Sequence, residues 1–147
     1  MVRINLVNPK KLSDQHLIAE YDEILMLLSY IKKNPDIKDI PKEYCLGKGH
    51  IKFFKNKVLY LKKRHELIKK EMKRRGFQTN KTINLNDFKK TNKGDWKPKK
   101  EDFYLIKNRI TYKLKLKPKY YRYYKKHKPS SFFINCSARN PRTLVCG

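Results

Sequence analysis

Behind Leu12 and Ser13, the residues Leu17, Tyr21, Ile24, Leu28 and Ile31 recur at spacings of three and four. That period puts them on one stripe of an α-helix and predicts a helix over residues 14–33. Ser13 is a suitable N-cap, Leu12 and Leu17 stand at staple positions, and Asp14 lies in the first turn, where the helix dipole favours an anion.

The stretch NPDIKDIPKEYCLGKGH, with two prolines and two glycines, has no sustained period and reads as a connecting loop. A second helix is predicted over 57–75, with Val58, Leu61, His65, Ile68 and Met72 on its buried stripe. Lys69, Lys70, Lys73, Arg74 and Arg75 crowd its last turns, and Gly76 offers a left-handed C-cap. Residues 78–98 read as polar and irregular. A third helix is predicted after Pro98 to about residue 117, with Phe103, Ile106, Ile110 and Leu114 on one side and Pro118 ending it. The alternation in KLKLK leaves a short strand as the other reading of that end. The expected fold is therefore mostly α: a single compact domain over 1–128 with about three helices, long loops and an irregular aromatic C-terminal segment. Residues 129–147 are expected to form an appended, poorly ordered tail.

Charge narrows the function. Residues 1–51 hold eight Lys or Arg against seven Asp or Glu, while residues 52–128 hold twenty-eight against six. Such an excess calls for a polyanionic partner, because each cation that meets a phosphate releases condensed counterions. Nucleic acid is the first candidate. No apolar run approaches 18 residues and no signal or lipidation motif is evident, so a soluble, intracellular protein without a membrane partner is expected. The three cysteines, Cys45, Cys136 and Cys146, form no CxxC pair and indicate neither a zinc site nor a disulfide framework. Heavy use of Lys, Ile and Asn suits an AT-rich genome, such as a viral one.

Against this background, LSDQHLIAEYDEI carries Asp14, Glu20, Asp22 and Glu23 and no Lys or Arg. Helical geometry puts His16, Glu20 and Glu23 on one flank of the apolar stripe, with Asp22 and Met26 on the far side. No basic residue stands three or four positions from Glu23, so no local ion pair accounts for it. A solvated helix face is the plain reading; a carboxylate kept available for chemistry is the other.

The segments RINLV, DQHLIAEYDE, LGKGHIKFF, KRHELIKKEMKRRGF, GDWKP and YYRYY, in that order over residues 1–126, resemble the pyrimidine-dimer DNA glycosylase/AP lyase family, typified by a phage enzyme called endonuclease V. The loop over 34–45 is shorter than the family's. The resemblance implies a compact helical domain, working as a monomer on double-stranded DNA with pyrimidine dimers or AP sites. Its N-terminal α-amine would attack the sugar C1′, release the base, form an imine and cut the strand by β-elimination. It implies removal of Met1, with Val2 supplying the amine and Glu23 the essential carboxylate, and it implies no cofactor or metal.

Amine chemistry agrees with that scheme. An α-amine titrates near 8 and a lysine near 10.4, so at neutral pH its reactive neutral fraction is roughly 400 times larger. Arg3 nearby is expected to lower the amine's pKa further. Valine at position 2, where the family usually has threonine, leaves the backbone amine unchanged.

By the same resemblance, Gln15 and His16 would sit beside the amine, and Arg3, Arg109, Lys113, Lys117, Tyr120, Tyr121 and Arg122 would contact DNA. For each a plainer reading stands. His16 can cap a helix, Arg109 is one cation among many, and at least half of the tyrosines in KYYRYYKKHK are expected to be core. His65 reads as a satisfied interior residue, and His50 is unassigned. Two departures matter for specificity: the family pattern has arginines where this chain has Asp22 and Met26. The function expected is a DNA repair glycosylase with AP lyase activity. The alternatives are an AP lyase that excises no dimers and a non-catalytic basic module binding nucleic acid by charge and tyrosine stacking.

Overall fold

The computed structural model describes residues 3–127; the expectations for Met1, Val2 and the tail lie outside them. Four α-helices run along the described chain: α1 (Asp14–Lys33), α2 (Gly49–Phe53), α3 (Val58–Arg74) and α4 (Lys100–Leu116). Two short strands, β1 (Arg122–Tyr123) and β2 (Lys126–His127), pair antiparallel, Arg122 with His127 and Tyr123 with Lys126. The fold is mostly α, as expected. It has one helix more than the periodicity gave: α2 is a five-residue turn that begins inside the predicted loop, too short to carry a period. KLKLK is helical. None of the described helices is long and apolar enough to cross a membrane.

Among the described residues the backbone divides into two compact units, one of residues 3–4 and 20–97, the other of residues 5–19 and 98–127. In the first, Tyr21, Ile24, Leu28 and Ile31 of α1 and Val58, Leu61, Ile68 and Met72 of α3 are buried. Each such side chain stabilises the fold by about 1.5–3 kcal/mol through removal from water. Two cross-contacts fix α1 on α3. The Tyr21 and His65 rings stack at 4.7 Å, and Arg64 donates from Nε to Glu20 Oε2 at 2.6 Å and from its terminal nitrogen to Oε1 at 3.1 Å. Both members of that ion pair are buried. Helix α3 ends in a Schellman turn: Phe77 N–H reaches Met72 O, Gly76 N–H reaches Lys73 O, and Gly76 takes φ +87°. Near the start of α3, Gly94 lies so close to the Asn56 carbonyl that a Cβ there would collide with it.

His65 is buried, but its Nε2 has no hydrogen-bond partner among the described residues, so it is interior without being fully satisfied. Burial, with Lys69 nearby, holds its pKa below the ordinary imidazole value.

In the second unit Phe103, Ile106, Ile110 and Leu114 of α4 are buried. The Asp102 carboxylate accepts the Lys99 N–H at 2.8 Å and so caps the helix start. The β1–β2 turn places Tyr124 at φ 53° and Lys125 at φ 67°, conformations that cost energy for residues with a Cβ. Asp14 offsets this by accepting the N–H of both, at 3.1 and 2.7 Å. Of the four tyrosines in this segment only Tyr123 is fully buried; Tyr121 is half-buried, and Tyr120 and Tyr124 are exposed. Fewer are core than the sequence suggested.

Candidate functional site

Apart from Val2, which lies outside the described residues, the predicted site residues fall into two groups, one in each unit. In the first unit, α1 brings Glu23 against the beginning of the chain, where its Oε2 accepts the Arg3 backbone N–H at 3.3 Å. Glu23 is half-buried, whereas Asp22 and Met26 are exposed. The two positions where the resemblance implies arginines therefore lie on the surface. Arg3 itself is only 8% exposed, so its guanidinium is not a free surface cation of the kind a phosphate contact uses.

Two residues that sequence reasoning missed hold this segment. Ile4 N–H donates to His50 Nε2 at 3.0 Å, and Ile4 C=O accepts from the Tyr44 hydroxyl at 2.9 Å. His50 Nε2 is thus an acceptor, and Nδ1–H donates to the Cys45 carbonyl at 2.9 Å. These roles fit only the neutral imidazole protonated on Nδ1. His50 is fully buried and meets Tyr44 and Phe54 edge to face. Tyr44, Phe53, Phe54, Tyr60 and Trp96 continue that aromatic cluster. It includes the tryptophan of GDWKP and the phenylalanines of LGKGHIKFF, so both motifs serve to anchor residues 3–4. The sole signal available in the sequence was that His50 lay within a resembling segment.

The second unit gathers the other predicted residues. His16 N–H donates to Ser13 Oγ at 3.1 Å, the N-cap bond anticipated from sequence, and Ser13 Oγ also bonds His16 Nδ1 at 2.8 Å. The His16 ring stacks on Tyr121 at 4.7 Å with planes 6° apart. Its pKa is lowered to about 4, first by burial and then by the charges of Arg109 and Lys113. At neutral pH the ring is uncharged, a flat aromatic partner flanked by two cations.

Gln15 uses both ends of its amide: Nε2 donates to Tyr120 O at 2.7 Å, and Oε1 accepts from Arg122 N–H at 2.9 Å. It thereby sets the segment carrying Tyr120, Tyr121 and Arg122. Lys117 lies over the exposed Tyr120 ring at 5.7 Å. Burial raises the Tyr121 pKa, with Tyr120 adding to the effect and Arg109 opposing it. The result is a cationic, aromatic surface suited to phosphates and unstacked bases.

The four carboxylates of LSDQHLIAEYDEI therefore do different things. Asp14 holds a turn, Glu20 is neutralised by Arg64, Asp22 faces solvent, and Glu23 accepts from the backbone of residue 3. The plain reading of a solvated face holds for Asp22 alone.

Together these features define a basic, mostly helical protein that turns one carboxylate towards the start of its chain and, in its other unit, exposes aromatic rings among cations. Residues 1–85 match the family described as pyrimidine dimer DNA glycosylase. The chain belongs to that family, which acts on DNA containing pyrimidine dimers. Helix α4 and the tyrosine-rich segment lie beyond the matched residues.

Proposed function

We propose that this protein is a monomeric DNA glycosylase with AP lyase activity, acting on double-stranded DNA through the α-amine of Val2 after removal of Met1. The observation that carries the reading is the acceptance of the Arg3 N–H by Glu23. The covalent chain keeps the nitrogen of any residue within about 4 Å of the next nitrogen, so the amine of residue 2 is tethered close to an amide that Glu23 contacts.

The chemistry follows from those two groups. The amine lone pair attacks C1′ of the damaged nucleotide, and the C1′–N bond breaks with its electrons leaving on the base. The nitrogen now bonded to C1′ gives up a proton and pushes in its lone pair as the C1′–O4′ bond breaks and O4′ takes up a proton, opening the sugar ring. The resulting iminium carries a positive charge, which the Glu23 carboxylate stabilises. Glu23 then accepts a proton from C2′, and the electrons of that C–H bond expel the 3′ phosphate, breaking the strand by β-elimination. Hydrolysis of the imine returns the free amine. His50 and Tyr44 contribute by holding Ile4, which limits the arc available to the residues before it.

In the second unit, Arg109, Lys113, Lys117 and Arg122 supply phosphate contacts, while Tyr120 and the Tyr121–His16 stack supply ring faces for bases displaced from the helix. Asp22 and Met26 weaken the preference for dimers over AP sites relative to a family member with arginines there. The test is borohydride reduction on AP-site and dimer-containing duplexes. A covalent adduct is expected with both, stronger on the AP site, and abolished in Glu23→Gln; salt-sensitive binding without any adduct refutes the reading.

A further inference from the structure

A cavity of about 630 Å³ opens in the first unit, where α1 ends. It is lined by Lys33, Lys55 and Lys89, by Tyr30 and by one carboxylate, Asp36, whose Oδ1 accepts the Lys38 N–H. Lys33 and Lys89 are exposed, but Lys55 is only 8% exposed. Its ammonium lies 5.8 Å from the Tyr30 ring centroid and makes no ion pair among the described residues. The stem of Lys55 is covered while its ammonium keeps contact with solvent in the cavity, which leaves the charge within reach of an anion.

The walls around it are fixed in advance. Asn92, 1% exposed, donates from Nδ2 to Lys55 O at 2.7 Å and to Pro35 O at 3.1 Å. One buried amide thus ties the backbone of Lys55 to the chain leaving α1 and fixes the point from which the lysine side chain extends.

The position on the helix also has meaning. Tyr30 follows Glu23 by seven residues, which is about 10 Å of rise with about 20° of rotation. The cavity therefore lies two turns along the same face of α1 as Glu23. At 3.4 Å per nucleotide step that is about three nucleotides of one strand.

We propose that this cavity is a phosphate-binding site for the DNA strand flanking the reacting nucleotide. Lys55 supplies a charge on a mostly covered stem, Lys33 and Lys89 supply exposed ones, and together they provide part of the grip that Asp22 and Met26 do not. The inference rests on the reading that DNA is the substrate and adds to it a specific set of phosphate-binding lysines.

The test is duplex binding by the full-length protein, followed by fluorescence anisotropy over a salt series. Lys55→Met and the double variant Lys33→Gln/Lys89→Gln are compared with Lys42→Gln/Lys70→Gln, which removes two exposed lysines that do not line the cavity. The slope of log K against log salt is expected to become shallower by about 0.9 for each phosphate that the variant no longer neutralises. That means about one for Lys55→Met and about two for Lys33→Gln/Lys89→Gln, with little change for the control pair. The exposed pair keeps the test valid should Lys55→Met fail to fold. Equal slope changes in the cavity and control pairs would overturn the proposal. So would displacement of the duplex from the wild type by inorganic phosphate as effectively as by a thymidine dinucleotide, which would make free phosphate the occupant. Borohydride trapping run alongside separates the two ideas. Trapping with equal slopes keeps the enzyme and removes this site, whereas selective slope changes without trapping keep the site and remove the enzyme.

Discussion

Replacing His50 by leucine removes an acceptor from the Ile4 N–H and a donor from the Cys45 carbonyl while keeping a side chain of similar bulk. The Ile4 amide is then left buried without its partner, which costs about 1–3 kcal/mol, and the missing Cys45 bond adds about 1 kcal/mol. Leucine fills most of the space, so the cavity contribution is small. A total destabilisation of about 2–4 kcal/mol is expected in urea-unfolding midpoints at unchanged m-value. His50→Gln, whose side-chain oxygen can stand near the position of Nε2, is expected to recover more than half of it. If His50 positions the start of the chain, the leucine variant will also show a slower single-turnover trapping rate than its residual stability explains, and the glutamine variant will restore it. A His50→Leu protein within about 0.5 kcal/mol of wild type would refute the energetic reasoning. A destabilised variant with a normal trapping rate would refute the positioning role.

The buried pair of Glu20 and Arg64 gives a second expectation. Arg64→Met strands a fully buried carboxylate and is expected to cost about 3–5 kcal/mol, while Glu20→Leu/Arg64→Met costs much less, so the two changes will be strongly non-additive in a double-mutant cycle. His16 gives a pH dependence. Its native pKa of about 4 lies below the ordinary 6.5, so between those values the unfolded chain binds the extra proton. The stability this group contributes is whole above pH 6.5 and declines as pH falls towards 4, by at most about 3 kcal/mol. Urea unfolding of wild type is therefore expected to weaken on acidification more than that of His16→Phe, which keeps the stack and does not titrate. Asp14→Ala leaves two amides in the β1–β2 turn without their carboxylate and is expected to cost about 1–3 kcal/mol. Lys125→Gly in that background relieves the positive-φ strain and recovers part of that cost; identical stability of the two would contradict the role given to Asp14.

The three long helices were legible because each carries a complete apolar stripe and recognisable ends: Ser13 before α1, Gly76 after α3, Pro118 after α4. Burial follows those stripes residue by residue. Helix α2 was not legible, since five residues cannot show a period and its surroundings, rich in proline and glycine, read as loop. The candidate site was legible in composition but not in use. Helical geometry grouped His16, Glu20 and Glu23, yet only a long-range partner, Arg64, distinguishes Glu20 as a core ion pair from Glu23. Gln15 and Asp14 meet residues more than a hundred positions away, and the Ile4–His50 bond spans 46 residues. No local pattern encodes such pairings. The lysine cavity was hidden for the same reason: Lys33, Lys55 and Lys89 are three of thirty-eight cations, and only Asn92, Pro35 and the end of α1 make them converge.

The nucleophile decides the account, and peptide mapping of the reduced adduct addresses it directly. After borohydride treatment of the protein on an AP-site duplex, proteolysis and mass spectrometry should locate the sugar remnant on the α-nitrogen of Val2, with Met1 absent. A remnant on the side-chain nitrogen of any lysine, or an undiminished adduct in a protein whose first residue has been acetylated, would contradict it.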